Sequence, residues 1–178
     1  RALADQGGLV TTTFNSVGPI AIPPLGMGNP YPLGVTVNGL TGNVSKVTVT
    51  LIGLSHSQPQ ELDIALAGPT AGAATILMSD AIGGPVVTNI DLTFDDAAAS
   101  LLPSGIPGNG SFGSGTFRPT DINSGIDSFP SPGPQGQLGA SLSVFNGLNP
   151  NGAWNLFVVD DTDGDTGSLQ GYSLNITT

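Results

Sequence analysis

The longest strict alternation of apolar and polar residues lies at 44–54, with Val47, Val49 and Leu51 on one side and Lys46, Thr48 and Thr50 on the other. A period of two over that length describes a strand buried on one face. Residues 62–66 repeat it, Leu62, Ile64 and Leu66 facing together and Asp63 facing away, and residues 90–94 repeat it through Ile90, Leu92 and Phe94. Shorter runs at 19–24, 33–38 and 75–78 read as further strands. Residues 9–13 (LVTTT) read as an edge strand or a donated one. Near the C-terminus a β-rich apolar run, 153–159, carries the only tryptophan, Trp154, and a closing alternation sets Tyr172, Leu174 and Ile176 on one face. Asn38-Gly39, Gly83-Gly84-Pro85 and Asn151-Gly152 punctuate these runs as turns.

A helical period occurs nowhere beyond one short turn expected at 97–101. Strands without helices predict an all-β fold, a β-sandwich. Residues 103–138 form a long Gly/Pro/Ser-rich loop with hardly any periodicity, expected to be pinned to the sandwich by Phe112, Phe117 and Phe129. The domain reading is an N-terminal arm, 1–13, able to donate a strand, followed by one sandwich over 14–178.

Composition narrows the function. Charged residues make up 9% and hydrophobic residues 38%, which excludes the disordered class, and 27 Gly with 15 Pro supply many turns. The net charge is −10 and the only cations are Arg1, Lys46 and Arg118, so no basic patch for nucleic acid can be built. Cysteine is absent, which removes disulfides and thiolate metal sites. There is no apolar run of about 18 residues to span a membrane as a helix. The opening RALADQGG fits a chain whose leader was removed or a piece of a longer protein.

The acids gather in two groups. Asp160, Asp161, Asp163 and Asp165 fall within six residues, in what reads as the loop of a β-hairpin. Carboxylates that close repel by about 1 kcal/mol per 4 Å pair even in water, so a hard cation is the expected counterweight. Glu61, Asp63, Asp80, Asp95 and Asp96 each stand at or beside a strand end, where a sandwich can gather them at one pole. Residues 161–165 imitate the opening of an EF-hand loop, but Thr166 stands where Gly is needed, Tyr172 where the bidentate Glu is needed, and no helices flank it. The expected cofactor is therefore calcium in a non-EF site, set against the plainer alternative of solvated turns and loop caps. Zinc lacks a nitrogen and sulfur shell, since His56 is the lone histidine.

Catalytic readings fare worse. Ser55-His56-Ser57 invites a hydrolase, but adjacent strand residues face opposite ways and no G-x-S-x-G elbow is present. His56 is read instead as a structural loop residue bonding backbone groups. The glycine clusters at 108–110 and 113–115 lack the Lys of a phosphate loop. One Trp and two Tyr offer too thin a platform for carbohydrate.

Four stretches in order resemble the P domain, or Homo B domain, of proprotein convertases and bacterial subtilases. They are residues 44–54 leading to His56, Glu61-Leu62-Asp63-Ile64-Ala65-Leu66 and Gly68-Pro69; Thr93-Phe94-Asp95-Asp96-Ala97-Ala98; Gly115-Thr116-Phe117-Arg118-Pro119; and Asn151-Gly152-Ala153-Trp154-Asn155-Leu156 followed by Asp160-Asp161, Gly167, Leu169 and Tyr172-Ser173-Leu174. They span about residues 14–178. Glu61 replaces an Asp of the family pattern and Tyr172 a common Trp. The resemblance implies a jelly-roll-like sandwich of eight or nine strands, non-catalytic, often calcium-bound, and secreted or displayed outside the cell. Two roles follow as expectations. One is a self-associating structural module, a filament, surface-layer or adhesive subunit, joined through the N-terminal arm or sheet edges. The other is an accessory domain of a larger secreted protease or hydrolase.

Overall fold

The computed structural model describes residues 8–106, 110–123 and 125–178. The first seven residues of the expected arm lie outside them. The elements are β1 (Thr11–Asn15), β2 (Ile20–Ile22), β3 (Gly26–Met27), β4 (Leu33–Val37), β5 (Lys46–His56), β6 (Leu62–Ala67), β7 (Ala74–Ser79), β8 (Val87–Phe94), β9 (Gly115–Phe117), β10 (Thr120–Asp121), β11 (Gly152–Asp160), β12 (Gly167–Leu169) and β13 (Gly171–Thr177). They build an all-β sandwich of two sheets. In the first, β1 and β2 line one edge against β13 and β12, which pair with β5, followed by β8 and β9. In the second, β10, β7, β6 and β11 follow in order, and the far side of β11 takes β4 and β3. All pairings are antiparallel except β8 with β9 and β10 with β7. No helix among the described residues is long and apolar enough to cross a membrane.

The hydrophobic alternation does what its period demands. Val47, Val49 and Leu51 of β5, Leu92 and Phe94 of β8, and Tyr172, Leu174 and Ile176 of β13 point into the space between the sheets. Leu62, Ile64 and Leu66 of β6 meet them from the other side, with Trp154, Leu156 and Val158 of β11. The second sheet is also covered on its outer face. Phe129 and Leu138 of the long loop, with Ala140 just after it and Tyr31, pack over Ala65, Ile76, Phe157 and Val159. Burial on both sides explains why β6, β7 and the end of β11 read as nearly continuous apolar runs.

Several sequence expectations change. β5 does not end at Leu54 but continues to His56. Gly53 takes a φ of 66°, and the pairing with β8 shifts register between Leu51 and Leu54. Such a bulge inserts one residue and reverses the inside–outside parity. Leu54 and His56 consequently face inward, where uninterrupted alternation would have placed Gly53 and Ser55. Residues 97–101 form no helix; a single turn closes from Ala98 N–H to Asp95 O, 2.9 Å. Leu142–Phe145 is a short 3-10 helix, capped where the Ser141 side chain accepts from Ser143 N–H. The long loop contributes β9 and β10, which periodicity missed because strands of three and two residues show no period.

The last corrected feature is the hairpin. β11 belongs to the second sheet and β12–β13 to the first, so residues 161–166 carry the chain across the sandwich instead of turning it back in one sheet. Trp154 and Tyr172 meet across the core, where the Tyr172 hydroxyl donates to Trp154 O at 2.9 Å. The Trp154 indole N–H donates to Pro150 O at 2.8 Å. Tyr172→Phe keeps the ring and deletes that inter-sheet bond, so urea unfolding should show a loss of about 1–2 kcal/mol. An unchanged midpoint and slope would mean the bond adds nothing to closure.

Candidate functional site

One end of the sandwich collects most of the acids. Glu61 ends the short 3-10 helix Pro59–Glu61, whose last turn feeds β6, and Asp63 is the second residue of that strand. Asp80 follows β7 with a φ of 55°. Asp160 ends β11, and the Asp161 N–H donates to Glu61 O at 3.0 Å. The first expected acid group is thereby joined to Glu61, Asp63 and Asp80 of the second, through the pairing of β11 with β6 that sets Asp160 opposite Leu62.

At the base of this end lies a buried pair. His56 Nε2 stands 3.0 Å from Asp160 Oδ2, and both side chains are fully shielded from solvent. Gln58 N–H donates to His56 Nδ1 at 3.1 Å, so that nitrogen carries a lone pair and the ring proton sits on Nε2, donated to Asp160. Asp160 Oδ1 accepts Thr162 N–H at 3.1 Å. Burial raises the Asp160 carboxyl, and these hydrogen bonds work against the rise. Gly167 pairs with His56, and any Cβ there would collide with the imidazole, which is why a side chain is absent at this point of close approach.

His56 is thus strand-borne and bonded to a carboxylate as well as to backbone. Neither neighbouring serine serves it. Ser55 Oγ accepts Asn89 N–H at 2.8 Å and Ser57 Oγ donates to Asp165 Oδ1 at 2.5 Å. With both ring nitrogens occupied and no solvent access, the pair is built as a joint between β5 and β11.

Asp63 faces away from the inter-sheet core, as its position predicts, yet the loop over the outer face leaves it only 5% exposed. Ser79 Oγ donates to its Oδ1 at 2.9 Å. Burial pushes the Asp63 carboxyl from 3.8 to about 7; the Ser79 bond opposes this, and Asp127, Asp161 and Asp80 add to it. Asp127 is itself raised by burial and then by Asp121. Sequence reasoning missed Asp121 and Asp127. Asp121 reaches this end only because β10 pairs in parallel with β7, opposite Ser79, inside a loop without periodicity. Glu61 is raised by burial first and then by Asp165 and Asp160, and its Oε2 is buried with no hydrogen-bond partner. A cavity of about 550 Å³ opens here, lined by Glu61, Asp80, Asp161, Gln60, Asn123 and Thr162.

Three of the expected residues behave differently. Asp95 and Asp96 do not share this pole. Asp95 holds Lys46 Nζ at 2.8 Å and caps Ala97 N–H at 2.9 Å. Burial works to raise its carboxyl, but these bonds and the lysine charge hold it below the usual range. Asp96 accepts from the N–H groups of Leu142 and Ser143 and from Ser141 Oγ, capping the 3-10 helix. The reason is topological: β8 ends at the opposite end of the sheet from the tip of β5. Asp163 sits exposed in the crossing loop.

The donor set at the acidic end is all oxygen, which suits calcium in chemistry, and the orphaned Glu61 Oε2 is an oxygen a cation would satisfy. Among the described residues no three acidic or imidazole side chains are already arranged to hold a metal ion.

Removing His56 leaves Asp160 buried with only the Thr162 N–H to satisfy it, so His56→Ala should cost about 3–5 kcal/mol in denaturant unfolding. A loss below about 1 kcal/mol would show that Asp160 finds solvent on its own. Asp63 gives a pH signature. A carboxyl raised in the folded state lends its full stability below its ordinary pKa and loses it as pH rises through the raised value. In chelator, stability should therefore fall between about pH 4 and about pH 7. Asp63→Asn should flatten that fall; a profile parallel to the parent's would reject the assignment.

No protein family matches the sequence, and no curated protein does. Two solved structures similar to this chain are of the serine protease of Aeromonas sobria. The protease in complex with the chaperone ORF2 is 16% identical over 96% of this chain and 27% of its own length, with a TM-score of 0.47. The protease alone is 18% identical over 98% of this chain and 28% of its own length, with a TM-score of 0.46. The chain thus spans little more than a quarter of either.

Proposed function

We propose that the chain is a non-catalytic accessory domain of a larger exported protease or hydrolase, stabilising or targeting its catalytic domain, and that calcium steadies its acidic end. The observation that carries this reading is the His56–Asp160 pair. The most reactive-looking groups of the sequence are sealed from solvent and spent on joining β5 to β11. The resemblance of the four sequence stretches to a P domain points the same way. Of residues 9–13, expected as an edge or a donated strand, Thr11 to Thr13 pair with β13 of the same chain, which weighs for a self-contained module.

The calcium reading rests on charge. Carboxylates from β6, the residue after β7, β10, β11 and the crossing loop meet at one end, where Glu61 keeps a buried oxygen without a partner. Glu61, Asp80 and Asp161, which line the cavity, are the residues that would hold the ion. Bound there, a divalent cation would offset the repulsion among these groups and fasten the crossing loop to the second sheet.

A self-associating role, as a filament, surface-layer or adhesive subunit, is the second reading. It is favoured by the outer edge of β1, which has no paired strand among the described residues.

Calcium at about 100 times its dissociation constant should stabilise the chain by roughly 2.7 kcal/mol over chelator, and Glu61→Gln with Asp161→Asn should abolish the difference. Identical melting midpoints in calcium and chelator remove the structural ion. A gene encoding no catalytic domain alongside this one removes the accessory role and leaves the self-associating one.

A further inference from the structure

The edge of the first sheet at β1 differs from its continuation at β2. Val10 and Thr178 exchange both backbone hydrogen bonds, each 3.0 Å, and Ser16 N–H donates to Tyr172 O at 2.9 Å. Even-numbered residues of this segment therefore turn their N–H and C=O toward β13. By the alternation of an antiparallel ladder, Thr11, Thr13 and Asn15 turn theirs outward, where no strand pairs with them among the described residues. At β2 the same edge is guarded: Pro19, Pro23 and Pro24 flank the strand, and Ala21 is bridged by Asn29. Natural edges are usually protected by proline, lysine, a bulge or a cover. Residues 8–17, GLVTTTFNSV, hold no proline, lysine or other charge, pair with β13 without a bulge, and are met by no further strand among the described residues.

We propose that this edge is a self-complementary interface on which a second copy of the chain docks, β1 against β1, antiparallel about Thr13. The register follows from three constraints. Outward-facing residues must oppose outward-facing residues, so Thr13 meets Thr13 and Thr11 meets Asn15, each pair exchanging both bonds. Centring on Thr13 pairs the whole of β1, while any other centre leaves an end residue unpaired. The same register sets Leu9 of one copy opposite Val17 of the other. These two are the most exposed large apolar side chains among the described residues, at 72% and 90%, and they share the parity of Thr11 and Asn15.

At the strand itself charge does not oppose a second copy. Two copies each carrying −10 repel, but the acids of the candidate site lie on other elements, and a neutral strand lets like meet like. The first charged side chain along the pairing is Lys46, across Thr177 from Thr11, and Asp95 already holds it. An isologous contact of this kind closes at two copies, so it makes a dimer and no filament unaided. The pairing holds for either role of the module and depends on neither.

The test is sedimentation equilibrium of the full chain from micromolar to millimolar concentration, with three variants. Thr13→Pro deletes an outward N–H and spares the ladder to β13, where proline at a free edge is tolerated. Thr13→Lys sets two like charges at the two-fold axis. Each also removes the bond from Thr13 Oγ1 to Asn175 Oδ1, 2.6 Å, and so lowers the melting temperature of the monomer slightly, while the dimer should weaken about tenfold or more. Thr13→Cys supplies the chain's sole thiol, and residues opposed in such a pair have Cα atoms about 5.5 Å apart, within reach of a disulfide. Oxidation should then trap a covalent dimer. A parent chain that stays monomeric throughout overturns the proposal. So does a dimer of unchanged strength in both Thr13→Pro and Thr13→Lys, or one in which Thr13→Cys fails to cross-link.

Discussion

Between Asp160, which ends a central strand of one sheet, and Gly167, which begins a strand of the other, the chain has only residues 161–166 in which to cross the sandwich. A crossing that short must run along one end of the core and must be held at both of its feet. The near foot is held by the Asp161 N–H to Glu61 O and by Asp160 on His56; the far foot is Gly167, lying under the same imidazole. His56 is therefore bound by β5, by β11 and by β12 at once. Because β5 pairs with both β12 and β13, the joint at this histidine sets how the two sheets face each other, and Tyr172 on Trp154 continues that closure into the core.

The same crossing explains the electrostatics. Five segments end at the pole that the crossing loop covers, and aspartate is a common residue at strand ends and turns. Bringing those ends together brings carboxylates together, and Lys46, the chain's single lysine, is engaged by Asp95 elsewhere. The cost appears as raised carboxyls at Glu61, Asp63, Asp127 and Asp160, each with burial as its leading cause. Such a pole is acceptable in a fold closed by a core burying Leu51, Leu54, Leu66, Trp154 and Tyr172 almost completely. It is also where an oxygen-seeking cation would contribute most.

Charge is thus concentrated at one end of the molecule, and the β1 edge is left neutral. That separation makes the two proposals physically compatible. An ion at the acidic end would act on the stability of the domain, while a strand pairing at Thr13 would act on its association, through groups that share no residue.

The strands and the all-β class were legible because a period of two survives wherever one face is wet, as in β5, β8 and β13. Most acids of the site were legible too, since Asp160, Asp161, Glu61, Asp63 and Asp80 stand at turn boundaries that the period itself marks. What the period could not carry was partnership. A glycine bulge at Gly53 reverses which residues of β5 face inward, and so decides that His56 is buried; alternation counted along the chain has no record of the partner strand that makes a bulge. Asp121 and Asp127 join the site through a parallel pairing of two residues within a segment that has no pattern. Asp95 and Asp96 leave it because β8 ends at the other pole. The hairpin expected around the acidic loop becomes a crossing because β11 pairs with β6 and β4 in one sheet while β12 and β13 pair with β5 in the other. Local periodicity states which side of a strand is apolar; only tertiary packing states which sheet it faces.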